Sequence, residues 1–229
     1  MKIGLISDIH ANHVALRAVL DALEGVDLIL CAGDLTGYYT EPNKVISELI
    51  KRDIRFVIGN HDWYIDHPPR KADQLLGQSM KFTRTHIMPE FRKLLRDGSP
   101  EMQIEVDGLA IAVFHGSPWN PLDQYIYPDY PHFERFRKVD ADVIVLGHTH
   151  HPMIQHIADR VLVNPGSCGQ PRDNDKRASC AILDSQAASV NIVRVDYNVD
   201  TVISSIQSHG LDMRLAQVLV RNSQEEGNK

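Results

Sequence analysis

Aspartates, histidines and one asparagine recur along this chain in five short clusters: Asp8-Ile9-His10, Gly33-Asp34, Gly59-Asn60-His61-Asp62, His115-Gly116 and Gly147-His148-Thr149-His150. Their side chains are oxygen and nitrogen donors, and no cysteine stands among them. A mixed donor set without thiolate suits borderline first-row cations such as Mn, Fe, Co, Ni or Zn better than Ca or Mg. Asp8 and His10 point the same way if the chain stays extended, so the pair can clasp one ion. Asp34 follows a glycine that permits a sharp exit, and its two oxygens are enough to bridge two cations. Two ions about 3.5 to 4 Å apart acidify a bridging water into a hydroxide nucleophile near neutral pH, and no side-chain nucleophile is then required. Each cluster alone has an ordinary reading, as a helix cap, a turn or a hydrogen-bonded core histidine. The argument for metal chemistry rests on their ordered recurrence.

That recurrence has a structural cause. Apolar β-type runs cover residues 2–7 (KIGLIS), 27–31 (DLILC), 54–58, 109–114 and 142–146, and a cluster stands at or just beyond the end of each. In open α/β sheets the carboxyl ends of the strands are where ligands gather. Helical spacing over residues 12–24 and 42–52 makes the first units strand, helix, strand, helix, strand, which implies a parallel sheet with crossovers. Asn12 is the expected N-cap of the first helix, and Val45, Ile46, Leu49 and Ile50 the buried stripe of the second. Residues 73–96 read as two helical pieces interrupted near Met88-Pro89. Residues 102–106 and 109–114 form a hairpin about the turn Asp107-Gly108. More strands follow over 153–157, 161–163, 181–183 and 190–195, then a helical tail beyond Asp196 whose residues 222–229 are expected to fray.

With these elements in place, the pattern DxH, GD, GNH(D/E), H and GHxH resembles the calcineurin-like metallophosphoesterase superfamily over residues 8 to about 184. Asp34-Leu35-Thr36-Gly37-Tyr38, Asn164-Pro165-Gly166-Ser167 and Gln170-Pro171-Arg172-Asp173 look like its small single-domain phosphodiesterase-like branch. The resemblance implies an α/β fold of two stacked mixed β-sheets flanked by helices, a four-layer α/β/β/α sandwich. It also implies that Asp8, His10 and His150 hold one metal, that Asp34 bridges, and that Asn60, His115 and His148 hold the second. His61 matches a histidine that is not a ligand but sits over the substrate phosphate, as proton donor to the leaving oxygen or stabiliser of developing charge. Asp62 is expected to orient that imidazole and raise its pKa. The arginine of the GDxxDRG pattern is absent after Asp34, which argues against a phosphoprotein phosphatase and, less strongly, against the symmetric dinucleoside tetraphosphatase branch.

The 229 residues, 43% of them hydrophobic, suffice for one core and are short for two catalytic domains, so one domain over 1–229 is expected. No apolar run approaches the roughly 20 residues that cross a bilayer, and the first residues read as a strand rather than a leader, so the expected location is cytoplasmic. Cys31, Cys168 and Cys180 lack metal or disulfide spacing and are expected to be reduced and buried. A net charge of -6 argues against a duplex nucleic-acid partner but not against a small phosphodiester or nucleotide, because two divalent ions reverse the local field. Self-association is left open.

Two segments carry the question of specificity. Residues 117–133 leave the His115 cluster with Trp119, Tyr125, Tyr127, Tyr130 and Phe133. One or two of these rings can stack on a base or aryl group, or the segment can close an edge of the core. Arg172 can reach a substrate phosphate, or pair with Asp173 or Asp175. Asn60, Arg172 and Tyr125 are therefore the candidates for substrate contact, while His13 and His151 are expected outside the ligand set. The expected activity is a dinuclear metal-dependent phosphodiesterase in which the bridging hydroxide attacks phosphorus in line. A phosphatase or dinucleotide pyrophosphatase is the alternative within the same chemistry. A non-catalytic metal-binding scaffold, like the retromer subunit of this fold, is the alternative outside it.

Overall fold

The computed structural model of the chain describes residues 1–187 and 189–220; the expected frayed tail at 222–229 lies outside them. Two five-stranded sheets stack face to face. The first runs in the order β10 (Ser189–Val195), β9 (Ala178–Asp184), β1 (Lys2–Ile6), β2 (Leu28–Cys31), β3 (Arg55–Phe56). The second runs β4 (Glu101–Val106), β5 (Leu109–Phe114), β6 (Val143–Val145), β8 (Arg160–Asn164), β7 (Met153–Ile157). β1, β2 and β3 are parallel, as are β5, β6 and β8, and the remaining pairings are antiparallel. The parallel strands of both sheets deliver their carboxyl ends to one edge of the sandwich, and there the chemistry-bearing clusters emerge.

The core between the sheets is built from Ile3, Leu5, Leu30 and Val57 on one side and Ile111, Val113, Val145 and Val163 on the other. The outer face of the first sheet is covered by α1 (His13–Ala22), α2 (Pro42–Lys51) and α5 (Pro89–Arg96), which pack Leu16, Val19, Val45, Leu49 and Leu95 against it. The outer face of the second sheet is covered by the segment containing Ile126 and a 3₁₀ helix over Phe133–Lys138, whose Phe136 is fully buried. Further helices are α3 (Asn60–Trp63), α4 (Gln74–His86), α6 (Val199–Ser208) and α7 (Arg214–Leu219).

One expected core position is corrected. Ile50 is 50% exposed, while Val45, Ile46 and Leu49 are buried. At 100° per residue, the position after Leu49 turns away from the sheet, and the stripe of α2 is narrower than its run of apolar residues.

The loops that leave the strands remain paired to one another. Asp8 N donates to Gly33 O at 3.0 Å, His10 N to Asp34 O at 2.9 Å and Ala11 N to Leu35 O at 2.9 Å. Gly169 N donates to Asp8 O at 3.0 Å, and Gly147 N to His115 O at 2.9 Å. These bonds extend the sheet order into irregular backbone and fix where the side chains stand.

Candidate metal centre

The chain reaches this centre in an unusual conformation. Asp8, His10, Asp34, His148 and His150 have φ values of 52°, 51°, 53°, 68° and 61°. The expectation that Asp8 and His10 share a side of an extended chain is therefore corrected. Left-handed residues re-aim the side chains, and the loop hydrogen bonds above hold the backbone there. Gly59 makes the close approach possible, since a Cβ at that position would stand 2.1 Å from Asp34 Oδ1.

The result is a convergence of donors. The ligand-capable atoms of Asp8, His10 and His150 lie within 4.8 Å of one another, as do those of Asp34, His115 and His148. All six residues are buried. Asp34 stands between the groups, with Oδ2 3.7 Å from His10 Nε2 and 3.5 Å from His115 Nε2. Asn60 Oδ1 is 2.9 Å from His115 Nε2.

The hydrogen bonds decide which ring nitrogens face inward. His10 Nδ1 donates to Thr36 O, His150 Nδ1 to Gln170 O and His115 Nδ1 to Ala32 O, because a carbonyl can only accept. In the neutral rings this leaves each Nε2 as a lone pair. The Nε2 atoms of His10 and His150 face each other at 3.0 Å, and His115 Nε2 faces both Asn60 Oδ1 and, at 3.2 Å, His148 Nδ1. Lone pairs turned on one another in a buried site repel unless a cation lies among them, so this donor set fits divalent metal ions. Backbone carbonyls behind ligating histidines fix their tautomer in this way.

Burial dominates the electrostatics. It raises Asp8 to about 7, and Asp34 well above the usual carboxylate range. It also pushes His148 down to about 2 and His10 and His150 well below the ordinary histidine value. Among the described residues, the fixed cation felt by all five is Arg172.

His61 is buried beside this cluster, its ring 4.8 Å from His10 and 4.6 Å from Tyr38. It comes within ligand reach of His10 and Asp34, and its Nδ1 has no hydrogen-bond partner. The expected support from Asp62 is not formed. The Asp62 carboxylate accepts from the backbone N–H groups of Leu35, Thr36 and Gly59 and from the Thr36 hydroxyl. Asp62 thus ties the turn after β2 to the turn after β3, and the His61 backbone N–H donates to Asp34 Oδ1. Burial, followed by the positive charge of Arg172, lowers His61 to about 3, the opposite of the expected rise.

Tyr125 stacks on His148 with ring centroids 3.8 Å apart. The rest of its segment divides as either reading of the sequence allowed: Tyr130 and Phe133 gather round Phe136 at the core, Trp119 meets Phe136 edge-on but stays exposed, and Tyr125 and Tyr127 are exposed beside the centre. His13 is remote, half-buried beside the charges of Glu41, Lys44 and Glu48. His151 is half-buried, edge-on to Tyr127. Reading residue types alone missed Tyr38, which touches both His10 and His61; its place directly after Gly37 in the Asp34 turn was the available signal. Cys31, Cys168 and Cys180 are buried free thiols. Among the described residues no helix is long and apolar enough to cross a membrane.

A crystal structure of a metallophosphoesterase from Sphaerobacter thermophilus matches the chain with a TM-score of 0.85 at 32% sequence identity, covering 96% of this chain and 99% of that one. An uncharacterized protein of Methanocaldococcus jannaschii is 29% identical over 242 residues, 95% of this chain and 96% of its own length. A phosphodiesterase of the same organism is 23% identical over 172 residues, 73% of this chain and 84% of its own. The sequence pattern of the calcineurin-like phosphoesterase domain matches residues 1–188. On that span, most of the sandwich and every cluster at its edge, the chain belongs to the calcineurin-like phosphoesterase superfamily.

Proposed function

We propose that the protein is a phosphodiesterase that works with two divalent transition-metal ions. The observation that carries this reading is the pair of donor groups sharing Asp34, with imidazole lone pairs turned inward. Asp8, His10 and His150 would hold one ion and Asn60, His115 and His148 the other, with Asp34 common to both. Bound there, the ions supply Lewis acidity toward the phosphoryl oxygens and acidify a water to serve as the nucleophile. The chain's own residues do the rest. Asp34 fixes the spacing of the two groups, and Asn60 is placed to touch a phosphoryl oxygen as well as an ion. His61, neutral in its buried setting, donates a hydrogen bond toward the charge that develops on the leaving oxygen.

A diester is favoured over a monoester by the charge available. Beyond the ions, Arg172 is the one lysine or arginine among the described residues whose charge recurs across the cluster, which suits a phosphate bearing one negative charge. The phosphodiesterase name of the Methanocaldococcus relative supports the same choice. The test is to strip the protein of metal, restore Mn, Ni, Co, Fe or Zn singly, and assay bis(4-nitrophenyl) phosphate beside 4-nitrophenyl phosphate, with Asp34→Ala as control. Faster diester hydrolysis that needs both metal and Asp34 is expected. Faster monoester hydrolysis makes the protein a phosphatase, and no turnover with both metal positions filled makes it a scaffold.

A further inference from the structure

Arg172 is held in place without being neutralised. Its Nε and Nη2 donate to Gln170 Oε1 at 3.2 and 2.7 Å, and Nη2 also donates to the Tyr38 hydroxyl at 3.1 Å. Both partners are neutral. The neighbouring carboxylates are engaged elsewhere: Asp173 pairs with Arg194, and Asp175 with Arg177. Among the described residues no carboxylate pairs with Arg172, and its Nη1 edge makes no protein hydrogen bond. A guanidinium left without a counter-charge inside a site, with its fork pre-aimed by neutral acceptors, is a receptor for an anion. The face of Tyr38 lies beneath it at 5.6 Å, and that ring touches His10 and His61, so Arg172 borders the centre.

A second surface borders the same centre. Tyr125 lies on His148, and the Tyr127 ring is parallel to it within 7° at 5.7 Å. These rings are 48% and 40% exposed. The edge contact from His151 braces Tyr127 at 5.4 Å. Tyr125 and Tyr127 continue the stack that begins on the buried His148 imidazole, and their exposed ring surface can take a further planar ring.

We propose that Arg172 grips a non-bridging phosphoryl oxygen while Tyr125, flanked by Tyr127, stacks on an aromatic arm of the same substrate, so that the substrate class is a nucleoside or aryl phosphodiester. This rests on the phosphodiesterase reading above, and its test is chosen to stand apart from turnover. The affinities of metal-loaded protein for methylphosphonate and phenylphosphonate are measured by calorimetry, since neither carries a hydrolysable ester. Arg172→Gln weakens both ligands equally, by about tenfold or more, the loss typical of a charge-assisted hydrogen bond. Tyr125→Leu leaves methylphosphonate unchanged and weakens phenylphosphonate by about fivefold or more, as loss of one stacked ring does. The proposal is overturned if Arg172→Gln leaves both affinities within about twofold or loses its metal, or if Tyr125→Leu leaves the ratio of the two affinities unaltered. A wild-type protein that binds both phosphonates but hydrolyses no diester would remove the phosphodiesterase reading, and the two affinity ratios would still decide the roles of Arg172 and Tyr125.

Discussion

Backbone strain and buried charge meet in the same side chains. Asp8, His10, Asp34, His148 and His150 all occupy the left-handed region, at a cost of roughly 1 kcal/mol or more apiece for residues other than glycine. Asp8 adds an electrostatic cost: burial raises its carboxyl from 3.8 to about 7. Between those values the folded protein holds a proton that the unfolded chain has released. Stability of the metal-free protein therefore falls as pH rises through this window, and the loss is complete above about pH 7. Asp8→Asn keeps a side chain that tolerates positive φ, and its oxygen still accepts from the His148 N–H that now donates to Asp8. In metal-free protein at pH 8 this variant should be more stable than wild type, by on the order of 4 kcal/mol at most, and the advantage should vanish near pH 4. With metal present the order should reverse, if Asp8 holds an ion as proposed. Urea unfolding with chelator at both pH values checks this, and an equal gap at pH 4 and pH 8 would refute the electrostatic account. Gly37 makes a second case. It has φ of 92°, and a Cβ there would stand 2.5 Å from His61 Nδ1. Gly37→Ala should push His61 aside and lower kcat by about tenfold or more with metal content unchanged. A variant with full kcat would show that the His61 position is not needed.

At the scale of elements, apolar runs and caps carried most of the information, because they depend on neighbours close in sequence. The hairpin about Asp107-Gly108, the break before Pro89 and the Asn12 cap all formed as their residues require. The clusters of ligand-capable residues were legible for the same reason, each being a short motif at a strand end. What sequence did not reveal depends on partners far along the chain. The left-handed turn at Asp8 and His10 is held by the loop after β2, Asp62 is drawn from His61 to the Leu35 and Thr36 amides, and Arg172 meets Tyr38 across 134 positions. Asn12 shows both kinds of contact in one side chain. Its Oδ1 accepts from Ala15 N at 3.0 Å to cap α1, while its Nδ2 donates to Gly169 O at 2.9 Å, tying the Asp8 loop to the segment that carries Gln170 and Arg172. Asn12→Ala should cost about 2 to 3 kcal/mol by losing both bonds, whereas Asn12→Ser, which caps but is too short to reach Gly169, should recover about 1 kcal/mol. Equal stabilities for the two variants would mean that the cap contributes nothing.

Across the whole molecule, each donor group is drawn from both sheets. Asp8 and His10 follow β1 of the first sheet and meet His150, which follows β6 of the second; Asp34 and Asn60 follow β2 and β3 and meet His115 and His148, which follow β5 and β6. Metal ions seated there would join the sheets at one edge, beyond the apolar core that joins them along their faces. Binding to the folded state alone raises stability by mass action without altering how much surface unfolding exposes. Metal loading should therefore raise the urea midpoint and leave the m-value unchanged. The rise should disappear in Asp34→Ala, which touches both groups, and shrink in His148→Ala, which leaves the Asp8, His10 and His150 group in place. Ile111→Ala, in the core between the sheets and four residues before His115, should cost about 2 to 5 kcal/mol by leaving a cavity. That cost should be the same with and without metal, because the two contributions are spatially separate and add. Were the Ile111→Ala cost to change markedly on loading, the edge and the core would not be independent fastenings, and the ions would be acting through the packing of the sandwich instead of across its rim.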